Sequence, residues 1–85
     1  MASDEEKLAL SPSAILGARI RHARKQKQLT LKELAEAVDR APSLISQIEN
    51  GKREPRLSLL KEISEALSVT PSYLLEDKAP DERAR

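Results

Sequence analysis

The chain has no cysteine, no tryptophan and no phenylalanine, and its single aromatic residue is Tyr73. Without cysteine there is no disulfide scaffold, zinc ribbon or thiol nucleophile, and a reducing compartment is the simplest setting. Without aromatics a core must be assembled from Leu, Ile, Val and Ala, which favours helices over strands. Only 2 Gly and 5 Pro interrupt the 85 residues. No apolar run approaches the roughly 18 residues of a membrane span. The amino terminus opens Ser3-Asp4-Glu5-Glu6 rather than with a basic segment and an apolar stretch. These absences predict a soluble, untargeted chain of one small domain and exclude a multi-domain enzyme. His22 stands alone among basic residues, and there is no carboxylate cluster in an apolar setting and no glycine-rich phosphate loop. No catalysis, metal or cofactor is expected.

The net charge of +1 hides an uneven distribution. Residues 11 to 75 carry eleven basic and seven acidic side chains, while residues 1 to 10 and 76 to 85 are net acidic. Arg19, Arg21, Arg24, Lys25 and Lys27 fall together without an intervening acid, and Lys52, Arg53 and Arg56 form a second cluster diluted by Glu54. Two basic clusters flanking one segment are able to form a footprint for phosphate, although charge runs are equally the mark of solvated helix faces.

Periodicity predicts an all-α bundle of five short helices. Residues 1–12 read as a mobile acidic arm, 13–76 as the folded domain and 77–85 as a charged tail. A first helix over about Ser13 to Lys27 carries Leu16, Ile20 and Ala23 on one face, widened by Ile15 and Ala18. Thr30-x-x-Glu33 is a capping-box pattern opening a second helix, with Leu34, Ala35 and Val38 inward and a stop at Asp39-Arg40. Pro42 suits the first position of a third helix, with Ile45 and Ile48 inward and Asn50-Gly51 closing it. Leu57, Leu60, Ile63 and Leu67 define a fourth, and Thr70-Pro71 caps a short fifth with Tyr73, Leu74 and Leu75.

Helices two and three, joined by a short turn, have the arithmetic of a helix-turn-helix. The face of the third helix opposite Ile45 and Ile48 carries Pro42, Ser43, Ser46, Gln47 and Asn50. These are small or hydrogen-bonding and include no acid. Gln pairs bidentately with adenine, and Ser donates to or accepts from several bases.

On these residues the chain resembles the lambda-repressor-like helix-turn-helix family, the phage repressor and Cro class also called XRE regulators. The resemblance covers residues 14 to 75 and is carried by Leu16-Gly17-x-x-Ile20-Arg21-x-x-Arg24, Leu29-Thr30-Leu31-Lys32-Glu33-Leu34-Ala35, Ile45-Ser46-Gln47-Ile48-Glu49-Asn50-Gly51-Lys52 and Leu60-x-x-Ile63-x-x-Ala66-Leu67-x-Val69. It implies a sequence-specific double-stranded DNA-binding transcriptional regulator, a repressor more than an activator. The third helix would lie in the major groove, with Pro42, Ser43, Ser46 and Gln47 at the bases. It implies phosphate contacts from Thr30 and the backbone at Leu31, from Asn50, Lys52 and Arg53, and peripherally from Arg19 and Arg56; Arg40, outside the family pattern, is a further phosphate candidate. It implies a structural ion pair between Arg24 and Glu49, and a homodimer for which Ser72, Tyr73 and Leu74 are the candidate contacts.

The sequence departs from the family pattern in four places. Leu31 stands where many members carry Gln, Gln28 and Asp39 stand where Gly is common, and Arg40 occupies a turn position that is usually apolar. A competing expectation is a protein-interaction module, such as an antitoxin or bridging coactivator, working through the same fold with an unidentified protein partner. Neither a membrane nor a small-molecule partner is expected, and a DNA regulator without a targeting signal belongs in the cytoplasm, on the nucleoid.

Overall fold

A computed structural model describes residues 11–76, and among them the chain forms five helices and no strand. They are α1 (Pro12–Gln26), α2 (Leu31–Ala37), α3 (Pro42–Glu49), α4 (Leu57–Leu67) and α5 (Pro71–Leu74). The predicted arm and tail lie outside the described residues except at one edge. Ser11 and Pro12 belong to α1: the Ser11 hydroxyl accepts from Ala14 N–H at 3.1 Å, and Pro12 takes the first helical position. The same cap-plus-proline device opens α5, where the Thr70 hydroxyl accepts from Tyr73 N–H. At α2 the capping box is complete, with Thr30 Oγ1 accepting from Glu33 N–H and the Glu33 carboxylate from Thr30 N–H.

The helix ends explain how a chain with two glycines turns so often. After α1, α2, α3 and α4 one residue adopts the left-handed region: Gln28 (φ 62°), Asp39 (φ 56°), Gly51 (φ 75°) and Ser68 (φ 60°). Each is framed by the paired backbone bonds of a Schellman closure. At the end of α3, for example, Gly51 N–H donates to Ile48 O and Lys52 N–H to Gln47 O. Three of the four positions are filled by side chains for which this conformation is costly. Gly51 has a second reason to lack a Cβ, since one would lie 2.9 Å from Ala14 Cα.

The core is wholly aliphatic. Ile20, Leu34, Ala35, Ile45, Ile48, Ile63 and Leu74 are sealed from solvent, and Leu16, Leu29 and Leu31 pack partly against them. The dominant packing joins α3 to α1 and to α2, so the third helix is held from two sides while its remaining face stays out. The α1–α3 crossing is made possible by Gly17. A Cβ there would press into the carbonyl oxygens of Ile48 and Glu49, closer than side-chain carbons approach.

Candidate nucleic-acid interface

The outer face of α3 is built by subtraction. Ile45, Ile48 and Glu49 face inward and are buried, leaving Pro42, Ser43, Gln47 and Asn50 exposed and Ser46 half-exposed at the margin. The Asn50 carboxamide donates to Ser46 Oγ at 3.4 Å. No acid occupies this face. The one carboxylate on the helix, Glu49, is turned into the fold, where Arg24 Nε and Nη2 donate to it at 2.7 and 3.1 Å. Arg24 also donates through Nη1 to Leu29 O at 2.9 Å, so one guanidinium ties α1, α3 and the chain entering α2.

The basic residues divide into those held by the fold and those left outward. Lys52, Arg53 and Arg56 are exposed around the loop after α3. Arg53 and Arg56, with Arg40, line a cleft of about 310 Å³ along the Leu44–Ile48 flank of α3. Glu54 also borders this cleft, but Ser13 donates to its carboxylate at 2.6 Å, an anchor on α1. At the start of α4 no side chain caps the helix and no acid lies in the first turn, so its leading N–H groups add positive potential to the cleft. Arg40 is folded onto the turn, donating to Val38 O and Asp39 O, with Glu62 at 3.9 Å.

Arg19 corrects the expectation of a peripheral phosphate ligand. It is 4% exposed. Its Nε donates to Tyr73 O at 2.6 Å, Nη2 meets Glu76 at 3.2 Å, and the guanidinium carbon stands 4.0 Å over the Tyr73 ring. Leu74 is a second correction, because it is fully buried and closes the core rather than offering a dimer contact. Tyr73 is half-buried beneath Arg19, and Ser72 is exposed beside Thr70. Among the described residues the large apolar side chains left in solvent are Leu57 and Leu75, at 62% and 53% exposure. Leu75 borders a cavity of about 390 Å³ lined also by Ile15, Leu16, Pro55, Leu60 and Leu74. Leu31 is half-buried against the core. The role of Gly17 was invisible in the motif that contained it, because the carbonyls it admits lie some thirty residues away.

Two short helices locked across a Schellman turn, the second presenting an acid-free polar face beside a basic loop, define a helix-turn-helix. The family model HTH_3, described as "Helix-turn-helix", matches residues 20–74, and the chain belongs to that family. It is 38% identical over 65 residues to the HTH-type transcriptional regulator SinR of Bacillus subtilis, covering 75% of this chain and 59% of that protein. It is 35% identical over 68 residues to Multiprotein-bridging factor 1 of Candida albicans, covering 80% of this chain and 45% of that protein. The chain thus spans about half the length of these curated relatives. Among solved structures, the clp gene regulator ClgR of Corynebacterium glutamicum superposes with a TM-score of 0.75 at 34% identity, covering 79% of this chain and 71% of that one.

Proposed function

We propose that this chain is a sequence-specific double-stranded DNA-binding transcriptional regulator, a repressor, that lays α3 in the major groove. The observation that carries the reading is the exposed face of Pro42, Ser43, Gln47 and Asn50 on a helix whose only carboxylate is drawn into the core by Arg24. A carboxylate left on that face would oppose phosphate, whereas Gln47 suits the donor and acceptor pair of adenine and Ser43 and Ser46 adapt to several base edges. Phosphates on one flank meet Lys52, Arg53, Arg56 and the uncapped start of α4, and on the other the Thr30 hydroxyl and the backbone at Leu31. Asn50 adds a contact between them. Arg40, held on the turn carbonyls, reaches phosphate only by releasing them.

Two copies bind as a homodimer on half-sites about one helical turn, roughly 10 base pairs, apart. Their contact is the Leu75 surface and its adjoining cavity, where exposed apolar area invites burial. The matching relatives named as transcriptional regulators support this reading, and it places the chain in the cytoplasm on the nucleoid. The test is selection of bound duplexes from a random library by the 85-residue chain at a salt concentration that suppresses purely electrostatic binding. An enriched pseudo-palindrome is the expected result. No enrichment by a folded protein overturns the reading.

The match to a protein named for multiprotein bridging favours a second reading, a protein-interaction module. It predicts that substitutions at Leu57 and Leu75, rather than at Gln47 and Ser43, abolish function in cells.

A further inference from the structure

The loop between α3 and α4 carries three cations, Lys52, Arg53 and Arg56, and one acid, Glu54. Among the described residues none of the three cations stands in an ion pair, although Glu54 borders the same cleft as Arg53 and Arg56. Glu54 also borders a second cavity, which Ser13 lines, and its carboxylate accepts from the Ser13 hydroxyl at 2.6 Å. That length belongs to a charge-assisted bond. The bond is not needed to place the loop. Gly51 N–H donates to Ile48 O and Lys52 N–H to Gln47 O at its start, Leu60 N–H donates to Arg56 O at its end, and Gly51 is seated against Ala14 of α1. Pro55 keeps the backbone of Glu54 extended. What the hydroxyl decides is which way the carboxylate turns.

We propose that Ser13 is a positioning residue for phosphate contact: it holds the Glu54 carboxylate off Arg53 and Arg56 and leaves both guanidiniums open to a phosphate backbone. The proposal rests on the DNA reading above. Arg24 acts in the same sense on Glu49, so α1 draws off both acids that lie between Pro42 and Arg56. Without the hydroxyl, the nearest unpaired cations attract the carboxylate, and an internal pair then competes with phosphate for the same N–H groups.

The experiment compares the full chain with Ser13→Ala, Ser13→Thr, Glu54→Gln and the Ser13→Ala/Glu54→Gln double variant. The probe is a mixed-sequence duplex of two helical turns, about 20 base pairs, titrated over a range of salt. The Nε–H resonances of Arg53 and Arg56 are recorded on the protein without DNA, and Tm is measured for each variant. Ser13→Ala melts within a few degrees of wild type, binds about threefold to fivefold more weakly and loses about 1 from the salt slope. Glu54→Gln, whose amide oxygen still accepts from Ser13, changes affinity by less than about twofold alone. In the Ser13→Ala background the same substitution restores wild-type binding and shifts the arginine resonances. Ser13→Thr keeps the hydroxyl and behaves as wild type. Equal weakening of Ser13→Ala and the double variant overturns the proposal, because the bond then shapes the loop and does not steer a charge. Arginine resonances indifferent to Glu54→Gln in the Ser13→Ala background overturn it as well. A folded wild-type chain that binds no duplex defeats the DNA reading and the phosphate role with it, while the resonances still decide whether Ser13 steers Glu54.

Discussion

Gln47 and Lys52 lie five residues apart and both are exposed, yet they should fail differently when truncated. With α3 in the major groove as proposed, Gln47→Ala removes base-edge contacts, so affinity for the selected sequence should fall by about 1–3 kcal/mol, with relaxed preference at one base pair. Lys52→Ala should weaken all duplexes alike and reduce the salt slope by about 1. Parallel titrations of selected and scrambled duplexes check both, and equal losses on all sequences for the two variants would remove Gln47 from the reading face. Glu49 has a different role, since its carboxylate is enclosed with Arg24. Glu49→Ala leaves a buried guanidinium without its partner and should cost about 3–5 kcal/mol, read by denaturant unfolding. Replacing both residues with aliphatic side chains of similar volume should recover most of that loss, because the cost lies in the stranded charge. A mild effect of the single change would mean that Leu29 O and water satisfy Arg24.

Helix boundaries were legible wherever a local rule acted alone. The apolar stripes, the Thr30–Glu33 box and the Asn50-Gly51 stop each depend on residues within one turn of each other. What stayed hidden depends on chain returning from far away. Arg19 reads as one more member of a basic run until α5 folds back over it, and Gly17 reads as a weak helix former until the α3 carbonyls arrive against it. Ser11-Pro12 was local but was masked by the polar run before it. Gln28 and Asp39 stand out in the sequence because they occupy positions where Gly is common, whereas Ser68 carries no such mark, although Thr70-Pro71 bounds its helix. These closures give an element-scale prediction. Gln28→Gly relieves the Cβ cost of φ 62° without touching the core and should stabilise the domain by about 1 kcal/mol. For a domain of this size that raises Tm by roughly 4–8 °C. Gly17→Ala should do the reverse, pushing α1 off α3, lowering Tm and weakening DNA binding together, because the same crossing carries the core and aims the reading face.

The molecule as a whole separates the two proposed surfaces by side. The groups proposed to face DNA gather along α3 and the loop that follows, and the exposed Leu75, just after α5, stands beside a cavity walled by α1 and α4, with Arg19 buried against the core. This division makes the last prediction a test of architecture. Leu75 is half in solvent, so Leu75→Glu removes apolar contact area and adds charge at little cost to the monomer, and its Tm should stay within a few degrees of wild type. Leu74→Glu, one residue away, buries a carboxylate at a site with no exposure and should unfold the domain. With folding preserved, Leu75→Glu should bind a single half-site as wild type does and lose the cooperative gain on two. A linked second site supplies an effective concentration that a monomer cannot use unless the two copies touch. Titrating one-site and two-site duplexes at fixed salt reads the difference directly. If Leu75→Glu keeps full cooperativity, the copies meet elsewhere, and Leu57, the other leucine exposed by the fold, is the next surface to charge.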